Sequence, residues 1–166
     1  PTCYAVMALK AVGRGAHPRV AEAVRMIRDR SMPSGGWNYG NTRVLGQELR
    51  AFPSTTGMAL LALRGQPEGD DTRAGLAYLT DALPRLKSAW ALGWTALAAR
   101  YYGLPRVPAE SLDDQLDGCL QQHLDRSTES RLHELAVLAL ARLPRQRLIF
   151  CETFTAGATS TVTAGS

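Results

Sequence analysis

Two carboxylate pairs, Asp70-Asp71 and Asp113-Asp114 with Asp117 close behind, are of a type and spacing that could do chemistry. Paired carboxylates pass protons when one is held protonated in an apolar cavity. Neither pair sits in a pattern that builds such a cavity. Asp70-Asp71 stands where a helix N-cap is expected and Asp113-Asp114 falls on the polar face of an amphipathic helix, so both read as capping or solvated groups. Cys119 and His123, at i and i+4, could share a metal ion from one helical face. They also continue the apolar stripe of Leu112 and Leu116, each one heptad on, and no third ligand stands at a telling spacing. Packing is therefore expected of them, and no metal. His133-Glu134 opens an Ala/Leu-rich helix and reads as polar residues at a helix end, with a cavity role as the alternative. Gly-rich phosphate loops and Ser/His/Asp elbows are absent, so nucleotide enzymes and hydrolases have no support and no cofactor is expected.

Aromatic residues offer a different chemistry, the binding of apolar ligands. Trp90, Trp94, Leu97 and Tyr101 are spaced by 4, 7 and 11 from the first, which keeps all four within about 40° on a helix of 3.6 residues per turn. They are the candidate lining of a ligand cavity, and core packing is the competing and favoured reading. Residues 34–41 read SGGWNYGN. Gly35 and Gly36 let the chain reverse tightly after a helix, while Trp37 and Tyr39 carry large rings beside the reversal. A structural turn motif, with Trp37 laid over a neighbouring helix, outweighs a catalytic role for these residues.

The elements that must position these side chains repeat. TCYAVMALK at 2–10, TGMALLALR at 56–64 and SAWALGWTALAAR at 88–100 align on their Ala-Leu pairs, and ELAVLALAR at 134–142 carries the same pair. Such helices, with few polar positions on any face, are buried nearly all round. Between them lie half-wet helices: 18–30 with Val20, Val24 and Ile27 on one stripe, a weaker one from Asp70 to the break at Pro84, and 108–124. Alternation of buried and amphipathic helices is the signature of stacked helical hairpins, so an all-α fold is expected over 1–147, with no strand. From residue 148 the composition shifts to Thr, Ala, Gly and Ser, and 148–166 is expected to be a mostly disordered tail, with a short strand or docked segment at 148–154 as the minority alternative.

The bulk properties agree with a globular protein: 166 residues, 45% hydrophobic, 20% charged. The net charge of +4 comes from basic residues scattered through the chain, without the basic stripe of a nucleic-acid surface, so no nucleic-acid partner is expected. No apolar run approaches the ~18 residues of a membrane span. Cys3, Cys119 and Cys151 are odd in number and widely spaced, which fits a reducing compartment and a cytoplasmic location. The chain begins at Pro1, so any N-terminal targeting signal is invisible.

With the repeat in view, SMPSGGWNYGN at 31–41 followed by PSTTGMALLALRG at 53–65 resembles the prenyltransferase and squalene-cyclase superfamily, whose recurrent turn ends in Gly-x-Trp and joins outer to inner helices of an α/α toroid. The resemblance spans roughly residues 1–145 and is specific at 31–65. It implies a partial toroid, because the family's full ring takes about six hairpins and three or four are present, so the remainder of its own chain is one expected partner. It also implies an isoprenoid or other lipid-like ligand. Ser31 stands where the family has a bracing glutamine, and the Asp-x-Asp-Asp run of the cyclases is missing. The resemblance thus points to a binding domain without demonstrable catalysis. Its alternatives are a helical-repeat protein-interaction module and half of a cyclase whose acid lies outside this stretch.

Overall fold

His17 and Pro18 start the first amphipathic helix: the His17 ring accepts a hydrogen bond from the Arg19 amide at 3.1 Å, and Pro18 fills the position whose missing N–H costs nothing. That helix, α2 (Pro18–Asp29), follows α1 (Thr2–Ala11) and buries Val20, Val24 and Ile27. The structure, a computed structural model, describes residues 1–104, 107–124 and 132–143. It is mostly helical, continuing through α3 (Pro53–Leu63), α4 (Asp70–Ala82) with a 3-10 turn at Leu83–Arg85, α5 (Ala89–Tyr102), α6 (Ala109–Leu124) and α7 (Leu132–Arg142). The expected tail at 148–166, Cys151 included, lies outside the described residues.

The Ala/Leu helices form one layer. α3 lies between α1 and α5, and α5 between α3 and α7, while α4 packs on α3 and α6 on both α5 and α7. Leu60, Leu61 and Leu63 in α3 and Leu92 and Leu97 in α5 are at most 1% exposed. Each such side chain contributes about 1.5–3 kcal/mol by leaving water, so this seam dominates the stability of the fold. Close approach needs the two glycines on it. A Cβ on Gly57 would stand 2.6 Å from the Trp94 carbonyl oxygen, and one on Gly93 would stand 2.5 Å from Val137 Cγ1.

The inner helices run parallel. Lys10 near the end of α1 donates its ammonium to the carbonyls of Ala62, in the last turn of α3, and Arg64, just past it, at 2.7 and 2.6 Å. Tyr102 at the end of α5 reaches the Leu60 carbonyl at 2.9 Å, and Arg100 donates to the Ala141 carbonyl near the end of α7. All four N-termini therefore point to one end of the layer. Burial, with Arg64 nearby, lowers the Lys10 ammonium to about 8.

The structure corrects the expectation of no strands. Arg43–Val44 and Gln47–Glu48 pair antiparallel, Arg43 opposite Glu48 and Val44 opposite Gln47. Leu45 and Gly46 turn the chain with φ of 51° and 80°, positive at both central residues as a tight hairpin turn requires. Two-residue strands are too short to show a period of two, and Leu at a left-handed position hides the turn signal. Leu45 is 98% exposed at the tip.

Candidate functional site: an apolar cavity at the N-terminal end of the inner layer

The turn after α2 builds one wall. Gly35 and Gly36 have φ of 94° and 82°, and a Cβ on Gly36 would stand 2.7 Å from Thr56 Oγ1. The chain thus comes close enough for the Trp37 amide to donate to Thr56 Oγ1 at 2.9 Å and for the Phe52 amide to donate to the Trp37 carbonyl at 2.9 Å. The indole N–H donates at 2.7 Å to the Ile27 carbonyl in the last turn of α2. The ring edge lies over Gly75 of α4, where a Cβ would meet it at 2.7 Å. Trp37 is 3% exposed and touches α2, α3 and α4 together.

Beside this turn lies a cavity of about 500 Å³ between the first turns of α1, α3 and α5 and the last turn of α2, within the ~300–1,000 Å³ range of small-molecule sites. Tyr4, Trp37, Tyr39 and Trp90 supply aromatic surface, and Met26 and Met58 supply adaptable thioethers. Among the described residues, Arg30 is the one charged side chain on the wall, and no carboxylate lines it. Cys3 also faces the cavity, with its thiol pushed up by burial and so kept protonated and unreactive. Behind the wall, Trp94 packs edge-on against Tyr4 at 5.7 Å and against Trp90 at 5.6 Å, and Trp90 in turn meets the His133 ring at 5.2 Å. The Trp94 indole N–H, on a side chain 7% exposed, has no hydrogen-bond partner among the described residues. A second depression of about 500 Å³ lies between α4 and the end of α5, where Glu68, Arg73 and Asp81 place charges of both signs on the wall.

Of the four aromatic-stripe residues, Trp90 lines the cavity and Trp94 backs it. Leu97 is fully buried in the layer, and Tyr101 packs against Tyr102 with ring centres 4.8 Å apart at the other end of α5. The stripe is one face of a helix, but it runs roughly 16 Å along the axis at 1.5 Å per residue, and the cavity occupies its first turn. Tyr39, read from sequence with the turn, is 79% exposed on the rim, its ring 5.2 Å from Phe52. Tyr4, Met26, Arg30 and Met58 were not singled out from sequence. The repeat alignment carried a signal for two of them, because pairing Thr2 with Thr56 and Ala5 with Ala59 also places Tyr4 on Met58.

The titratable candidates fall elsewhere. Gly69 is the N-cap of α4, with Asp70 and Asp71 in its first turn; Asp71 binds Arg28 of α2 at 2.7 Å. Asp113 pairs with Arg100 and, at 3.3 Å, with Arg142, while Asp117 binds Arg142 at 2.5 Å, joining α6 to α5 and α7. That hydrogen bond holds the Asp117 carboxyl below its ordinary value. His123 turns Nδ1 toward the Cys119 carbonyl at 2.9 Å and Nε2 toward Glu134 at 3.4 Å. The thiol and the carboxylate thus lie on opposite sides of the ring. Burial raises the Cys119 thiol, with Glu134 adding to the effect. Among the described residues no three His, Cys, Asp or Glu side chains are grouped to hold a metal ion, Cys3 and Cys119 are free thiols, and no helix is long and apolar enough to cross a membrane.

Comparison of the chain with protein-family models, curated proteins and solved structures returns no match. The reading of function therefore rests on the geometry above.

Proposed function

We propose that this chain is a repeat domain of the prenyltransferase and squalene-cyclase type, a partial α/α toroid that binds an isoprenoid or other lipid-like molecule and performs no reaction on it through its own carboxylates. The observation that carries this reading is the composition of the cavity wall: four aromatic rings and two thioethers around about 500 Å³, with Asp70, Asp71, Asp113, Asp114 and Asp117 all outside it. Aromatic and thioether walls suit flexible unsaturated chains, which they contact without demanding directional bonds. A proton donor able to start a carbocation cascade would have to face the cavity, and among the described residues the wall carries hydroxyls, a carboxamide, indoles, a thiol and a guanidinium but no carboxyl group. Parallel inner helices with outer helices laid over them also suit the toroid reading.

Thermal unfolding with increasing farnesol or squalene tests the binding. A ligand held by the folded state raises the midpoint with concentration, about 2.7 kcal/mol of stabilisation at a hundredfold excess over Kd. Trp90→Ala, which removes one wall of the cavity, is expected to reduce that shift. An unchanged midpoint at saturating ligand would remove the lipid reading.

A second reading has its own observation. α7 leaves Leu132 72% and Leu140 37% exposed, α1 leaves Tyr4 44% exposed, and Val12 just past the end of α1 is 71% exposed. Apolar faces of this kind are the mark of helices that pack against a further partner, as the interaction-module reading requires.

A further inference from the structure

We propose that the cavity takes an amphipathic ligand whose head is an oxyanion, a carboxylate or a phosphate, bound by Arg30, while the apolar body lies against Tyr4, Met58 and Trp90. This rests on the cavity being a ligand site and adds the polarity of what it holds. Arg30 is the C-cap residue of α2, and its guanidinium crosses the rim to the carbonyl of Gly40 in the turn. That bond fixes the charge at the mouth and engages one of the five N–H donors a guanidinium carries, leaving the others for a ligand. The planar fork matches the two oxygens of a carboxylate or phosphate.

The surroundings favour an anion. Among the described residues, Arg30 is the one charged side chain lining the cavity, and no carboxylate lies within ion-pair distance of it. Thr2, Thr55 and Trp90 place the first turns of α1, α3 and α5 on the same wall, so the positive ends of three parallel helix dipoles add to the field of the guanidinium and outnumber the one negative end, that of α2 beside Arg30. Aromatic walls can also hold a cation through their ring faces. Here a cation would meet Arg30 at the mouth with no acidic group to offset the repulsion, which leaves the rings the task of holding hydrocarbon.

Calorimetric titration of the full chain with decanoate, decyl phosphate and decanol, each below its micelle-forming concentration, separates the head from the chain. Inorganic phosphate serves as the head-only control. At least one of the two anions is expected to bind roughly tenfold more tightly than decanol, the size of one charge-assisted contact. Arg30→Gln should bring that anion to the affinity of decanol and leave decanol itself unchanged; Arg30→Lys should retain part of the preference. Whichever anion binds more tightly identifies the head as a free acid or a phosphate ester. Decanol binding as tightly as both anions, or a preference that survives Arg30→Gln, would overturn the assignment of the head while leaving the cavity as a lipid site. Inorganic phosphate binding as tightly as decyl phosphate would overturn the amphipathic ligand. If none of the three chains binds, the cavity reading itself falls, and this inference with it.

Discussion

Trp37 contributes to the structure in two ways that substitution can separate. Its ring fills the space between α2, α3 and α4, and its N–H satisfies the Ile27 carbonyl at the end of α2. Trp37→Ala is expected to cost about 3–5 kcal/mol, the range for deleting a large buried aromatic. Trp37→Phe keeps much of the ring and leaves the Ile27 carbonyl with the Arg30 amide at 3.2 Å alone, for a loss of about 0.5–1.5 kcal/mol. Urea denaturation of the two variants measures both, and equal losses would mean that the ring surface Phe retains contributes nothing, which would remove the packing role. At this scale the sequence is partly legible. Glycine before tryptophan marks a reversal through residue type alone, because a positive φ leaves few alternatives. The partners of the ring, Ile27 and Gly75, come from helices before and after the turn, and no local pattern names them. Arg30 was hidden for the same reason: as one of many scattered arginines, it gains meaning only through the carbonyl of Gly40 opposite it.

At the scale of elements, the inner layer depends on missing side chains. Gly57 lets α3 touch the backbone of α5 at Trp94 and Thr95, so Gly57→Ala forces two rigid backbones apart and should cost about 1–3 kcal/mol. Gly118, also helical, has nothing within 4 Å of the position a Cβ would take. Gly118→Ala should therefore stabilise by about 0.5–1 kcal/mol through helix propensity alone. Opposite signs for the same substitution in chemical denaturation would establish that the seam decides the outcome; equal signs would remove that argument. The helices were readable because burial on all sides and burial on one side leave different residue patterns over three turns. The Arg43–Glu48 hairpin was not, since two-residue strands carry no period. The aromatic stripe of α5 was readable as a face, but a face is longer than a site, and only its first turn reaches the cavity. The cavity wall itself is drawn from four helices and a turn, a juxtaposition that belongs to packing.

Among the described residues, apolar surface is left uncovered on both flanks of the inner layer, α1 on one side and α7 on the other. α3 and α5 are covered on both sides by helices of the same kind, which shows what such a surface accepts. Surface of this character drives association in water. Sedimentation velocity is expected to show concentration-dependent oligomers, and the pair Val12→Glu with Leu132→Glu to reduce them while leaving helical circular dichroism unchanged, because both residues are over 70% exposed. A monomer at all concentrations before substitution would count against the interaction-module reading. Layering of this kind was legible from the alternation of dry and half-wet helices, whereas the direction in which they run emerged only from Lys10, Arg100 and Tyr102 bonding across the layer.

The hairpin tip at Leu45 has a practical consequence. It stands clear of the core and falls between the turn that carries Trp37 and the helix that receives it, so a nick between Leu45 and Gly46 cuts no helix. The two pieces would stay joined through the bonds of Trp37 to Thr56 and Phe52 and of Lys10 to the far end of α3. The fold thus offers a natural split point for a two-fragment sensor, with the cavity assembled only when both fragments meet.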